Sequence, residues 1–151
     1  MAYLLDTNIL VVYVRGNRQA QNLESELRLL RGEHDVVISA VSVGEIKSLA
    51  IRNGWGKNKI DKLVNLLNRF LIADVNVEEI MDRYAEIDAF SQSKHPTKMG
   101  SFTARNMGKN DLWIAATGSV LNLILVTSDK DFDHLDGEFL KVKRVNLADY
   151  L

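Results

Sequence analysis

The chain has 151 residues, 46% of them hydrophobic, and a formal charge of −1 from 19 basic and 20 acidic side chains. That size and apolar share suit one domain, residues 1–151, with a proper core, and the near-zero charge excludes a global field that would draw in nucleic acid or an anionic membrane. The absence of cysteine removes disulfides, thiolate metal ligands and thiol nucleophiles, and with no membrane-length apolar run and no signal-peptide pattern a cytoplasmic, membrane-free protein is expected.

The run Tyr3-Leu4-Leu5 reads as a short buried strand that breaks into Asp6-Thr7-Asn8, and apolar residues then resume in a short helix over Asn8–Val14. Leu23, Leu27 and Leu30 recur at helical spacing between Gln19 and Arg31, and Gly32 is the expected stop. Val36–Ile38 predicts a second, β-branched strand, followed by a helix to about Arg52 that Asn53-Gly54 ends. Ile60, Leu63, Val64, Leu67 and Phe70 mark an amphipathic helix, and Leu71–Val75 a third strand. Val77 to about Ser93 is expected to be helical, and the polar stretch from Ser91 to Gly108, which holds the only proline, to be loop. Asn110–Leu121 predicts a helix whose small residues Ala115, Ala116 and Gly118 permit close packing on a sheet. Leu123–Thr127 is a fourth buried strand and Val142–Val145 a fifth at the sheet edge. Strands alternating with helices argue for a parallel sheet covered on both faces.

Four acids stand at particular places in this pattern. Asp6 and Asp129 each follow a buried strand, and Glu45 and Asp111 each open a helix. Each has a local explanation. Asp6 and Asp129 are good caps, Ser42-x-x-Glu45 fits a capping box, and Asp111 suits the first turn of a helix that Asn110 would cap. Capping does not require convergence, however. If the first, second and fourth strands are neighbours, all four acids meet at the carboxyl edge of the sheet, where ligands bind in open α/β folds. Carboxylates crowded together need cations, and oxygen ligands without cysteine or paired histidine point to Mg2+ or Mn2+ rather than zinc. One or two such ions suit phosphodiester cleavage.

The segments Leu5-Asp6-Thr7-Asn8-Ile9, Ser42-Val43-Gly44-Glu45-Ile46, Asn110-Asp111-Leu112-Trp113-Ile114-Ala115-Ala116 and Val126-Thr127-Ser128-Asp129-Lys130-Asp131-Phe132 resemble the four motifs of PIN-domain nucleases. In length and motif order the chain is similar to the VapC-type toxins of bacterial toxin–antitoxin pairs. The resemblance covers essentially the whole chain. It implies a three-layer α/β/α fold with a central parallel sheet of four to five strands. It also implies a Mg2+- or Mn2+-dependent endoribonuclease, with transfer RNA as a family-level substrate, a homodimer and a cognate antitoxin. Carried onto this sequence, the metal-site and catalytic acids are Asp6, Glu45, Asp111 and Asp129. Thr127 would orient Asp129 or a metal-bound water, and Asn8 would support Asp6. Asp131 and Asp133 lie close enough to substitute for Asp129, which is preferred because it is nearest the strand end.

Lys98, Arg105 and Lys109 lie in an acid-free stretch leading into Asp111 and are the candidate RNA-phosphate contacts, the alternative being a solvated loop. An apolar groove for an antitoxin is expected between the Gln19–Arg31 helix and the helix around Leu63, Leu67 and Phe70. His34, His95 and His134 lack metal-ligand spacing, and Trp55 and Trp113 are expected to pack. Two other functions compete. A non-catalytic RNA-binding module on the same fold would have lost one or more acids, and none is missing. A Mg2+-dependent phosphoacceptor domain would carry an acid pair after one early strand, and this chain does not.

Overall fold

The computed structural model describes residues 1–151 and contains a five-stranded, wholly parallel sheet in the order β3-β2-β1-β4-β5. The strands are β1 (Ala2–Leu5), β2 (Asp35–Ser39), β3 (Leu71–Ala73), β4 (Ile124–Thr127) and β5 (Lys141–Arg144). The central strands β1, β2 and β4 are almost uninterrupted apolar runs, as strands covered on both faces must be. The edges differ. β5 reads Lys-Val-Lys-Arg, and its charges protect a strand whose outer hydrogen-bonding groups face solvent.

Side chains alternate across the sheet, so Tyr3 and Leu5 face one layer and Leu4 the other. The first layer contains α1 (Thr7–Arg15), α2 (Arg18–Leu27), α3 (Ala40–Arg52) and α4 (Lys57–Arg69), packed through Leu10, Leu23, Ile46 and Leu63. The second contains α5 (Glu78–Ser91) and α6 (Lys109–Val120), packed through Ile80, Ile87, Ile114 and Ala115. The result is a three-layer α/β/α architecture. The chain winds outward from β1 to β3 and then crosses to β4 on the other side of β1. The crevice between the carboxyl ends of β1 and β4 is therefore the topological switch point. Leu5 pairs with both Ile38 and Val126, which brings the residues after β1, β2 and β4 to one level.

Several boundaries differ from the sequence expectation: β3 ends at Ala73 rather than Val75, β5 runs one residue earlier over Lys141–Arg144, and the ends of α2, α3 and α6 move. α2 stops at Leu27, not Arg31, because Arg28 takes a left-handed conformation and the Glu24 carboxylate accepts from the Leu29 and Leu30 amides. Leu23 and Leu27 still reach the core, but Leu30 does so from a turn. α3 begins at Ala40 with Ser39 as its cap, so Ser42 and Glu45 form no capping box and Glu45 sits in the second turn. α6 begins at Lys109 with Gly108 at the cap position, which puts Asn110 inside the helix.

Gly118 packs α6 tightly against Leu4 of β1 and Leu140. A β-carbon there would lie 3.0 Å from Leu140 Cδ1 and 3.4 Å from Leu4 Cδ2. Gly118→Val should therefore destabilise the fold by ~1–3 kcal/mol through overpacking, read as a lower urea midpoint at unchanged slope. A midpoint equal to wild type would show that α6 has room to retreat.

Candidate metal centre

The site begins where β1 ends. Asp6 is only 5% exposed, and its amide donates to Val126 O at 3.0 Å, extending the β1–β4 ladder by one bond. Both carboxylate oxygens are engaged: Oδ1 accepts from the Thr7 amide at 2.8 Å, and Oδ2 accepts from Thr127 Oγ1 at 2.6 Å. The first bond caps α1 and the second faces β4, so capping and membership of the acidic cluster are compatible roles for one side chain. The fully buried Thr127 hydroxyl also accepts from the Asp129 amide at 3.0 Å. A single oxygen thus links Asp6 to the turn that carries the fourth acid.

Beyond that turn Asp129 Oδ1 accepts from the Asp131 amide at 2.9 Å and starts a short 3-10 helix over Lys130–Leu135. This turn brings Asp131 back toward α6. One carboxylate oxygen each from Asp111, Asp129 and Asp131 lie within 4.8 Å of one another. Asp133 turns away and pairs with Arg144 Nε at 2.9 Å. Glu45 is held by Thr7, whose Oγ1 donates to Glu45 Oε1 at 2.8 Å. Asp6, Glu45, Asp111 and Asp129 line one cleft of about 400 Å3, with Arg15 among the residues around it.

Burial and crowding show in the protonation equilibria. Burial raises the Asp6 pKa, opposed by the Thr127 and Thr7 hydrogen bonds and reinforced by the charges of Glu45 and Asp129. Asp111 is pushed up to about 7, by burial first and then by Asp6, Asp129, Glu45 and Asp131. Carboxylates that resist ionisation in a cleft with only oxygen donors around them fit a hard divalent cation, which would restore their charge. Asp111, Asp129 and Asp131 have the spacing to hold one.

The remaining predicted residues divide. Asn8 does not bond Asp6. Its Oδ1 accepts from the Ser128 amide at 3.4 Å, a long bond that ties α1 to the loop after β4. Lys98 Nζ pairs with Glu138 at 3.3 Å and lies 5.2 Å from the Phe139 ring. Arg105 lines a cavity of about 240 Å3 with Thr103, Asn106 and Asp131, beside the acids. Lys109 is exposed in the first turn of α6.

Sequence reasoning missed Thr7 and Arg15, and for His134 it went no further than a surface or packing role without metal-ligand spacing. The signal for Thr7 is a hydroxyl in the first turn of a helix directly after an acid. His134 Nε2 and the buried Ser91 Oγ lie 2.7 Å apart, fastening the acid-bearing turn to α5, and burial lowers the imidazole pKa. No periodicity in the sequence signals this bond, because its partners are 43 residues apart.

A raised carboxyl pKa means that the folded chain binds the proton more tightly than the unfolded one. Asp111 therefore contributes stability that is complete below its ordinary value of 3.8 and lost as pH rises through about 7. In EDTA, Asp111→Asn should match wild type in acid and exceed it increasingly as pH rises to 8, measured as urea midpoints. A constant difference across that range would mean that Asp111 is not crowded.

The PIN domain family profile matches residues 3–138. Ribonuclease VapC1 of Haemophilus influenzae (strain R2866) is 29% identical over 140 residues, which cover 89% of this chain and 92% of that protein. The fold is similar to that in the solved structure of VapBC2 from Rickettsia felis bound to a DNA fragment from its promoter. The TM-score is 0.77 at 24% identity, covering 97% of this chain and 100% of that one. The structure of VapBC-1 from nontypeable Haemophilus influenzae matches with a TM-score of 0.68 at 25% identity, over 95% of this chain and 98% of that one. With a profile match that runs from the first strand to beyond the acid-bearing 3-10 helix, the chain belongs to the PIN domain family.

Proposed function

We propose that the chain is a metal-dependent endoribonuclease that acts as the toxin of a toxin–antitoxin pair, with transfer RNA the first substrate class to test. The observation that carries this reading is the convergence of Asp6, Glu45, Asp111, Asp129 and Asp131 at the β1–β4 switch point. The similarity to a protein named Ribonuclease VapC1 supports it. One or two Mg2+ or Mn2+ ions would supply charge neutralisation at the phosphate and an activated water. Asp111, Asp129 and Asp131 would hold them. Asp6, fixed at both oxygens, presents its charge in one orientation, and Thr127 keeps Asp6 and the Asp129 turn in register. Thr7 holds Glu45 toward the same cleft.

Asp6→Asn, Asp111→Asn and Glu45→Gln should each lower RNA cleavage by roughly 10²–10⁴ while leaving the fold intact. Asp129→Asn should cost more than Asp131→Asn, because Asp129 lies nearer the strand end, is half-buried and is held to the Thr127 hydroxyl through its amide, whereas Asp131 is exposed. Mn2+ at ~100 times its Kd should raise wild-type stability by ~2.7 kcal/mol, and the Asp111 variant should lose most of that gain. A phosphoacceptor domain would be labelled by acetyl phosphate instead and would cut nothing. A binding module without chemistry would hold RNA intact in Mn2+.

The partner reading rests on the similarity to toxin–antitoxin complexes and on one apolar surface. That surface is a groove of about 410 Å3 between α3 and α4, lined by Ile51, Trp55, Ile60, Leu63, Val64 and Leu67. The leucine face of α2 belongs to the core instead, so the groove uses α3 where the sequence suggested α2. Ile51 is 82% exposed and Val64 47%, more than an unpartnered helix pair needs to leave uncovered. We assign the groove to the cognate antitoxin, with an antitoxin Arg or Lys reaching Asp6 and Asp111. A homodimer is the proposed assembly, supported by the exposed Leu71 and Ile72 of edge strand β3. Ile51→Asp with Val64→Asp should weaken antitoxin binding by at least about tenfold, the equivalent of ~1.4 kcal/mol, and make co-expression toxic again. Full rescue of growth by antitoxin despite both changes would place the partner elsewhere.

A further inference from the structure

The acid cleft is not isolated. A second cleft, of about 490 Å3, lies along α3 and is bounded by Val41, Gly44, Ser48 and Arg52 together with Asn110 of α6. Glu45 lines both clefts, so the two meet at one of the proposed catalytic acids with a single side chain between them. The second cleft is organised by helical spacing. Val41, Gly44, Ser48 and Arg52 follow one another at intervals of three, four and four residues and, with Glu45 beside Gly44, form one stripe of α3, while the apolar groove uses Lys47, Ala50 and Ile51 on another.

The chemistry of this stripe is one-sided. Glu45 is its only acid. Arg52 Nε donates to Ser48 Oγ at 3.3 Å, one turn back along the helix. Arg52 makes no ion pair, whereas Arg28, Lys57, Arg83, Lys98 and Arg144 each have a carboxylate partner. The floor is bare at Gly44, where a β-carbon would meet nothing within 4 Å. A free guanidinium, an exposed hydroxyl and an exposed carboxamide around an open floor suit a group with one negative charge beside a hydroxyl and an ether oxygen. An acidic peptide would use the guanidinium but has less use for the hydroxyl and the amide. A nucleotide would use all three. The volume is also in the range of small-molecule sites, of about 300–1,000 Å3.

We propose that this second cleft is a flanking nucleotide subsite, holding the phosphate and ribose next to the bond that is cut. Arg52 takes the phosphate, and Ser48 and Asn110 take the 2′-hydroxyl and ring oxygen of the sugar. The proposal rests on the ribonuclease reading and extends it by direction. The strand leaves the acids across Glu45 toward Arg52 on one side, and toward Arg105 beside Asp131 on the other.

The test couples Arg52 to one phosphate. The probes are synthetic RNAs copying a sequence that wild type cleaves, each with a single neutral methylphosphonate linkage and a 2′-O-methyl group only on the sugar 5′ to it, compared with the same RNA carrying that 2′-O-methyl group and an ordinary phosphate. Affinity is measured on the full chain carrying Asp6→Asn, with and without Arg52→Ala. Neutralising one particular phosphate should weaken binding about tenfold when Arg52 is present and have no effect when it is absent. The salt slope of log K should flatten by ~0.7 in the Arg52 variant. Gly44→Phe, whose side chain would enter open space and fill the cleft, should reproduce the loss of affinity with the melting transition retained. Equal sensitivity at every phosphate with and without Arg52 overturns the subsite. Cleavage by wild type together with that result leaves the ribonuclease reading standing. No cleavage of any RNA in Mn2+ removes both. Weakened antitoxin binding with unchanged RNA affinity in Arg52→Ala would assign the cleft to an acidic protein segment and also overturn the proposal.

Discussion

The structure depends on carboxylates being held closer together than their charges favour. Asp6 is buried between strands, and its neighbours Glu45 and Asp129 raise its pKa further. The bond from Thr127 Oγ1 to Asp6 Oδ2 opposes that strain directly. Because the same hydroxyl accepts from the Asp129 amide, it also fixes the turn that delivers the last two acids. Buried polar atoms of this kind are stable only when fully satisfied. Both Asp6 oxygens and both functions of the Thr127 hydroxyl are satisfied here. The sheet supplies the rest by pairing β1 with β4 and placing two loops that are far apart in sequence at one level.

Much of this arrangement was legible in the residues. Short apolar runs followed by Asp-Thr-Asn and Thr-Ser-Asp located the ends of β1 and β4, and β-branched Val36–Ile38 located β2. Ala115, Ala116 and Gly118 indicated a helix pressed against the sheet. The clustering of acids followed from assuming that the first, second and fourth strands are neighbours, which they are. Local propensity failed where long-range or side-chain bonds decide the backbone. Helical spacing carried α2 on to Leu30, but Glu24 bonds the following amides and closes the helix early. The capping-box pattern at Ser42 was outcompeted by Ser39, which lies at the strand end and caps first. The Ser91–His134 and Thr7–Glu45 contacts join distant segments and leave no periodic trace.

The charges that bear on this centre are a local matter, not a property of the molecule as a whole. The acids occupy one crevice, while Arg15, Arg52 and Arg105 each line a cleft that contains one or more of them. Several other cations are neutralised locally, Lys98 by Glu138 and Arg144 by Asp133. A net charge of −1 is therefore compatible with a polyanionic substrate, because what matters is which cations are left without partners and where they sit. α3 concentrates these roles. It carries Glu45, the Arg52 stripe and one wall of the apolar groove, so the proposed substrate and partner contacts share a single helix.

The dual role of Asp6 constrains how such a chain can lose its chemistry. Alanine at this position would remove the cap of α1, costing about 0.5–2 kcal/mol, and would leave the buried Thr127 hydroxyl without an acceptor. Asparagine keeps one acceptor oxygen, enough to cap α1 through the Thr7 amide, and presents a donor where the Thr127 hydroxyl found its acceptor. Asp131 is exposed, and its carboxylate anchors no other residue. Over evolutionary time, silent descendants of this fold would drift first at Asp131, and would change position 6 by amidation-like substitution long before truncation. An asparagine there marks a domain that has kept its shape after giving up its charge.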